Sequence, residues 1–489
     1  MKLLRFFSFC CLVLSLSTCQ RTGSSQPNIL FILADDWSYP FASVFGTKYL
    51  QTPNLEKLAA EGVVFENAYC SSPSCTPSRA SILTGRYPHN LGEGVNLCGR
   101  LDVSVPTYVK LMREKGYAVA FDRKGWAPGD FKKMGYTENP CGERSEFGAF
   151  LGKLKPTEPF FFWFGTHDPH RPFDKGSGQR MGIDLKKIKV PAFLPDTPEI
   201  RGDLADYFAE IERFDREIGA LIEQLRSTGR LENTIIVVAS DNGMPFPHAK
   251  ANLYDYGTRV PLIISSFSDA VAKKVRNTSF VNLMDLTPTF LDLVGIQKQP
   301  PMDGISLMPV LKGEKTTHRS EIYLERERHC LCRAEMDYGA GYPMRAVRTN
   351  EFLYIQNFRP NRMPAGDATI PNTPSEYGDV DGGPTKVYMM DQRNALSVKP
   401  LFEMGFGKRP AEELYDVKAD PSNIHNLANL PQYASTKKQL NERLYQWMKT
   451  QKDPRLNGGG DEVDRYKSTT RAWITKTDII LLDEPPLKP

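Results

Sequence analysis

Asn28-Ile29-Leu30-Phe31-Ile32-Leu33-Ala34, followed at once by Asp35-Asp36, is the stretch on which the fold turns. An unbroken apolar run does not suit a strand with one wet face. It suits a strand buried on both faces, as in a parallel sheet covered by helices. Two further runs behave alike: Phe160 to Phe164 ahead of Gly165-Thr166-His167, and Thr234 to Ser240 ahead of Asp241-Asn242-Gly243. Between them Leu204, Tyr207, Phe208, Ile211, Phe214, Ile218, Leu221, Ile222 and Leu225 recur every three or four residues. That spacing predicts an amphipathic helix, with Gly229 ending it. Strands alternating with helices make an α/β sheet. Ligands of such sheets gather at the carboxyl ends of the strands. Asp35, Asp36, His167, Asp241 and Asn242 all fall at such ends, so chain order alone predicts one shared site.

The chain has 489 residues, 40% of them hydrophobic, enough for one large domain or two smaller ones. A net charge of +4 with 25% charged residues is too balanced to indicate nucleic acid or a membrane surface. At the N-terminus Lys2 and Arg5 precede an apolar run from Phe6 to Leu16, and residues 1–19 read as an export signal. The run is too short to span a bilayer comfortably, and no later stretch is apolar enough to do so. Leu16-Ser17-Thr18-Cys19 resembles a bacterial lipoprotein processing site, with Thr18 in place of the usual small residue. It implies a lipid anchor on Cys19 and a periplasmic or outer-membrane-associated protein; simple secretion stays open. Cys70, Cys75, Cys98, Cys141, Cys330 and Cys332 lie beyond this segment. An oxidising compartment permits disulfides, but their pairing is not legible from spacing. After about residue 335 the texture changes. Met344 to Tyr354 and Lys386 to Met390 read as short strands, and Pro, Gly and Asp are frequent from Pro360 to Gly383. This predicts a smaller α+β subdomain over 340–489 whose loops reach the main site, ending in an extended tail from 455.

Three carboxylates and an amide carbonyl in Asp35-Asp36 and Asp241-Asn242 are hard oxygen donors that suit Ca2+ or Mg2+ rather than zinc. Taken alone, an Asp-Asp pair serves a turn or a helix cap as readily. Cys75-Thr76-Pro77-Ser78-Arg79 is sharper. Pro77 suits a helix start and Ala80-Ser81-Ile82-Leu83 continue it. Cys75 then lies at the positive end of that helix, where anions are favoured, and Arg79 sits one turn along.

Cys75-Thr76-Pro77-Ser78-Arg79, continued by Leu83-Thr84-Gly85-Arg86, resembles the signature of the formylglycine-dependent sulfatases. The resemblance also covers Asp35-Asp36, His167-Asp168-Pro169-His170, Asp241-Asn242-Gly243 and Glu413-Leu414-Tyr415-Asp416, in the expected order. It implies an alkaline-phosphatase-like α/β sandwich with a large mixed sheet covered by helices, in a catalytic domain over 27–335. The smaller C-terminal α+β subdomain would carry a short antiparallel sheet. It further implies that a maturation enzyme oxidises Cys75 to formylglycine. One Ca2+ per chain would be held by Asp35, Asp36, Asp241, Asn242 and the modified Cys75. Arg79 would orient the nucleophile, Lys124 and Lys250 would hold sulfate, and His167 would protonate the leaving group. Relatives usually have Gly-Lys, one residue, then His; here Lys124-Gly125-Trp126 puts Trp126 where that His is expected.

The segments His167 to Arg171, Asp241 to Pro247 and Tyr342 to Arg348 look closest to the sulfamidase branch, the N-sulfoglucosamine sulfohydrolases. That branch also resembles bacterial polysaccharide O-sulfatases. A sulfated carbohydrate such as an ulvan-like algal glycan is therefore the expected substrate, with heparan-type N-sulfoglucosamine as the alternative. His170, Trp126, Arg326, His329, Arg345, Asp381 and Lys386 are candidate substrate contacts. A zinc phosphodiesterase of the same superfold would need Thr or Ser at position 75, and a silent glycan-binding protein would not need the whole set.

Overall fold

The computed structural model of the chain describes residues 26–297, 299–335, 339–369, 376–456 and 460–469. The export segment 1–19, with Cys19, and the tail from 470 lie outside them. The run quoted first is strand β1, Asn28–Ala34, buried throughout. With β2 (Gly62–Tyr69), β3 (Ala118–Arg123), β4 (Glu143–Arg144), β5 (Phe160–Gly165), β6 (Thr234–Ser240), β7 (Arg259–Ser266) and β8 (Val275–Asn282) it forms one sheet in the order β4-β3-β5-β1-β6-β7-β2-β8. β1 pairs in parallel with β5 and β6, and β7 runs antiparallel to both its neighbours.

The lack of alternation in β1 has a direct cause. Leu30, Ile32 and Ala34 enter one apolar layer with Leu204, Phe208 and Ile211, while Ile29, Phe31 and Leu33 enter the opposite layer with Ile82 and Phe290. Helices cover both faces, so neither set meets water. The helix Pro198–Ser227 carries the predicted stripe, and all nine of its predicted apolar positions are buried. Pro198 begins it, where a missing N–H costs nothing. Gly229, at φ 68°, follows its end and turns the chain towards β6.

A second sheet, β9 (Ile322–Arg326), β10 (Met344–Arg348), β11 (Phe352–Asn357) and β12 (Glu412–Asp416), is antiparallel in the order β12-β11-β10-β9. It opens at Ile322, ahead of the boundary read near 335. The helix Ala434–Thr450 packs Leu440, Leu444 and Trp447 on its Val347, Tyr354 and Leu414. Two expectations are corrected here. Lys386 to Met390 is not a strand but part of the helix Pro384–Asp391. Thr385, Lys386 and Met389 are buried while Val387 is 56% exposed, a helical period that strand alternation would not produce. The tail is not extended over its described part. Arg455 and Asp464 are buried, and Arg455 pairs with Glu327 and Asp464.

Those pairs belong to a buried ion network beside the second sheet, which His89 of the turn Pro88–Val95 also enters. Arg345 on β10 holds Asp453 and Glu327, and Glu325 on β9 accepts from the imidazole and the backbone N–H of His89. Burial works against a charged imidazole, but the Glu325 carboxylate outweighs it and raises the His89 pKa. A raised folded pKa stabilises fully below the unfolded value of about 6.5 and loses that contribution as pH rises through the folded value. His89→Gln is therefore expected to lower the urea midpoint more at pH 6 than at pH 9. An equal shift at both would show that the pair is not charged.

Candidate active site

Four strand ends converge on one point. Asp35 and Asp36 follow β1, Lys124 follows β3, His167 follows β5, and Asp241 and Asn242 follow β6. Backbone bonds set the turns: the Asp35 N–H donates to the carbonyl of Asp168, and the Asp241 N–H to that of Ala34. Asp36 sits in the left-handed region at φ 72°. Its carbonyl accepts from the Tyr207 hydroxyl at 3.0 Å, so the long helix also fixes this turn.

Cys75 opens the helix Cys75–Thr84, with Ser74 extended before it and Gly85 left-handed after it. Pro77 lies in the first turn, where its missing N–H has no intrahelical partner to lose. The Cys75 thiol is 3.5 Å from Asp35 Oδ1 and accepts from Lys124 Nζ at 3.5 Å. Burial, with Asp241 and Asp35 nearby, pushes its pKa well above the ordinary value despite Lys124. As an unmodified residue Cys75 is thus a neutral thiol, a poor nucleophile.

Oxygen donors surround it. Ligand atoms of Asp35, Asp36, Cys75 and Asp241 lie within 4.8 Å of one another. The Asn242 amide nitrogen donates to Asp36 Oδ1 at 2.6 Å, while its buried Oδ1 has no partner. Burial and the neighbouring carboxylates raise the pKa of Asp36 and Asp241, whereas Lys124, His170 and Arg79 outweigh burial at Asp35 and lower it. Crowded carboxylates with an orphaned carbonyl oxygen fit a divalent cation with hard-oxygen preference.

Cations enclose the set. Arg79 donates from Nε to Asp241 Oδ2 at 2.8 Å and from Nη1 to the carbonyls of Lys124 and Gly125. Its Nη2 lies 3.7 Å from Asp35 Oδ1. Lys124 Nζ donates to Asp35 Oδ2. Lys250 Nζ donates to Asp36 Oδ2 at 2.7 Å and to Asp381 Oδ2 at 3.0 Å. Despite burial, their carboxylate partners raise the pKa of both lysines, which stay charged.

His167 is partly exposed, and its carbonyl accepts from the His170 N–H at 2.8 Å. His170 Nε2 lies 3.7 Å from Asp36 Oδ2. Partial burial, and Lys250 beside it, lower its pKa below that of a free imidazole. His329 reaches the helix start from the second sheet: its Nδ1 is 2.8 Å from the Ser74 hydroxyl.

The other candidates lie elsewhere. Trp126 is 1% exposed, packed in the apolar layer under Gly129 rather than open to a sugar. Arg326 is buried on Asp379 and the carbonyl of Pro364. Arg345 has no exposed side-chain surface and serves the ion network above. The Lys386 ammonium donates to the carbonyls of Tyr377 and Val380, closing its own loop. Ser74, Ser78 and Tyr207, which fix the helix start and the Asp36 and Asp241 turns, gave no signal in sequence because hydroxyls take on such roles only through contacts made by folding.

A family model described as Sulfatase matches residues 27–296, and one described as N-sulphoglucosamine sulphohydrolase, C-terminal, matches 247–359. The N-sulphoglucosamine sulphohydrolase of Homo sapiens is 28% identical, over 91% of this chain and 94% of its own. An ulvan-active sulfatase of Formosa agariphila is 27% identical, over 86% of this chain and 75% of its own. The structure of BT4656 in complex with its substrate D-glucosamine-2-N,6-O-disulfate shares the fold, with a TM-score of 0.60 and 21% identity, over 89% of this chain and 100% of that one.

Proposed function

The chain belongs to the sulfatase family and is a sulfuric ester hydrolase, and from that premise we propose that it removes sulfate from a sulfated polysaccharide or oligosaccharide, with Cys75 oxidised to formylglycine and one Ca2+ beside it. The observation that supports this most is the place of Cys75: buried at a helix start among Asp35, Asp36 and Asp241, with Arg79, Lys124 and Lys250 around it. Three carboxylates and the amide oxygen of Asn242 beside residue 75 are mostly hard oxygen donors, which favours Ca2+ over zinc.

Asp35, Asp36, Asp241, Asn242 and the modified Cys75 would hold the cation, which when bound supplies positive charge to the nucleophile and to the sulfate oxygens. Formylglycine, once hydrated, supplies two hydroxyls on one carbon, one to attack sulfur and one to let sulfate depart. The remaining tasks fall to this chain's own groups. Lys124 and Lys250 hold sulfate oxygens against the charge that moves onto them. Arg79, locked by Asp241 and two carbonyls, orients residue 75. His167, at the end of β5, delivers a proton to the leaving oxygen or nitrogen, a task suited to imidazole. Trp126, buried, takes no proton; His329, bonded to Ser74, is an imidazole that the fold brings to the helix start.

Two sugars remain in view. The ulvan-active relatives favour an O-sulfated algal glycan. The match over 247–359 and the human relative favour N-sulfoglucosamine. Sulfate release from ulvan oligomers and from N-sulfated glucosamine, measured side by side, separates them. Export through residues 1–19 belongs to the same reading. The test of the whole is mass spectrometry of the Cys75 peptide from enzyme made with its maturation partner: an active enzyme carrying only a thiol at residue 75 would sink it. Calcium is checked without turnover. Binding to the folded state alone stabilises by about 2.7 kcal/mol at a hundredfold excess over Kd, so Ca2+ is expected to raise the melting temperature of the intact chain and not that of Asp241→Asn. No shift in the intact chain would remove the metal assignment.

A further inference from the structure

The acids of the nucleophile cluster are sealed: Asp35, Asp36 and Asp241 expose 1% or less. Asp381 differs. Its side chain is 24% exposed, and it lies on Lys250, the same ammonium that holds Asp36. Asp381 thus stands at the more exposed edge of the cluster, with ligand atoms of Asp381, His170 and Asp36 within 4.8 Å of one another.

Its placement is built in. Asp379, two residues earlier, is buried and takes Arg326, Arg333, the Cys330 N–H and the Cys332 thiol. Lys386 ties the carbonyls of Tyr377 and Val380 together. Thr385 donates from its N–H and hydroxyl to Asp203, which is held bidentately by Arg171. Arg171 in turn lies over the rings of Phe173 and Phe246. Three anchors over eight residues spend arginines and a lysine on holding one loop. Loops that carry recognition groups need such support, because a misplaced donor or acceptor loses its selectivity.

We propose that Asp381 is a specificity-determining residue: it accepts a hydrogen bond from the hydroxyl or amino group next to the scissile sulfate, and so selects sugars that carry a donor there and rejects those with a second anion. This rests on the sulfatase reading above, with Lys250 as a sulfate-holding group. The physical basis is the sign of the charge. A fixed carboxylate at the more exposed edge of the cluster stabilises an adjacent O–H or N–H donor, while an adjacent sulfate or carboxylate faces like charge without a partner. Lys250 brings the two parts within one side chain of each other, so the sulfate and the neighbouring group are read together.

Affinity is measured by calorimetry on Cys75→Ala protein, so that no turnover is needed. The probes are monosulfated monosaccharides with a free vicinal hydroxyl or amine, each paired with its vicinal disulfate. The monosulfates are expected to bind about tenfold or more tightly than the disulfates. Asp381→Asn in the same background is expected to bring the pair within about threefold, and Asp381→Glu to keep the sign of the preference. Circular dichroism and thermal unfolding check that each variant is folded. Equal binding of the pairs by the Cys75→Ala protein, no binding of any probe, or a preference unchanged in folded Asp381→Asn overturns the proposal. Failure of the sulfatase reading shows separately, as no sulfate release from any probe by formylglycine-bearing enzyme.

Discussion

Cys75→Ala is expected to abolish sulfate release, a fall of about ten-thousand-fold or more in kcat, while the protein stays folded. The side chain is small, so although Cys75 packs with Leu97, Cys98, Cys330 and Cys332, its change to Ala deletes a single sulfur atom. What disappears is the sulfur that Asp35 and Lys124 both reach at 3.5 Å. Cys75→Ser tests the same point more narrowly. A serine retains an oxygen nucleophile at the helix start, but it has a single hydroxyl. It would have none left with which to expel sulfate, so any reaction is expected to stop after one turnover. The measurement is sulfate release per active site over time, with residue 75 identified by mass spectrometry in the same sample. Continued turnover by Cys75→Ala would remove this residue from the chemistry and the formylglycine assignment with it.

Arg345→Ala is expected to cost about 3–5 kcal/mol of stability, the range for stripping one partner from a buried ion network, and to leave kcat/KM of the folded fraction within about threefold. Arg345 bonds Asp453 through Nε and Nη2 and Glu327 through Nη2, with Glu325 at 3.6 Å. Its removal leaves carboxylates that Arg455 and His89 only partly balance. Arg345→Lys is expected to rescue little, since a lysine cannot reproduce a forked, planar contact. Urea unfolding followed by intrinsic fluorescence gives the stability, and initial rates below the transition give the activity. If Arg345 instead touched substrate, KM would rise and the unfolding midpoint would hold. The two positions differ in what charge does around them: cations and carboxylates enclose the proposed nucleophile at Cys75, whereas Arg345 ties the second sheet to Asp453 beyond the helix Ala434–Thr450.

Much of the site was legible because its parts lie in short motifs at strand ends. Asp35, Asp36, His167, Asp241 and Asn242 follow apolar runs, and such runs announce where a parallel sheet delivers its side chains. Cys75 and Arg79 share one helix turn, so their relation was local. Lys386 and Arg345 show the limit of the same reasoning. Both are cations in segments of mixed composition, and composition alone does not say whether a cation faces a cleft, a carbonyl or a buried carboxylate. The structure answered differently for each: Lys386 clips its own loop and Arg345 ties the second sheet to Asp453.

The sequence by itself determined the α/β layering, the strand ends that carry the carboxylates, and the helix that presents Cys75, because each follows from a hydrophobic period or a turn within a few residues. Only the tertiary structure decided that Asp381 meets Lys250, that His329 meets Ser74, that Trp126 is buried, and that Arg455 returns to pair with Glu327. Those contacts join positions far apart in the chain. Burial and charge pairing between such positions are settled by how layers pack, and no local period records them.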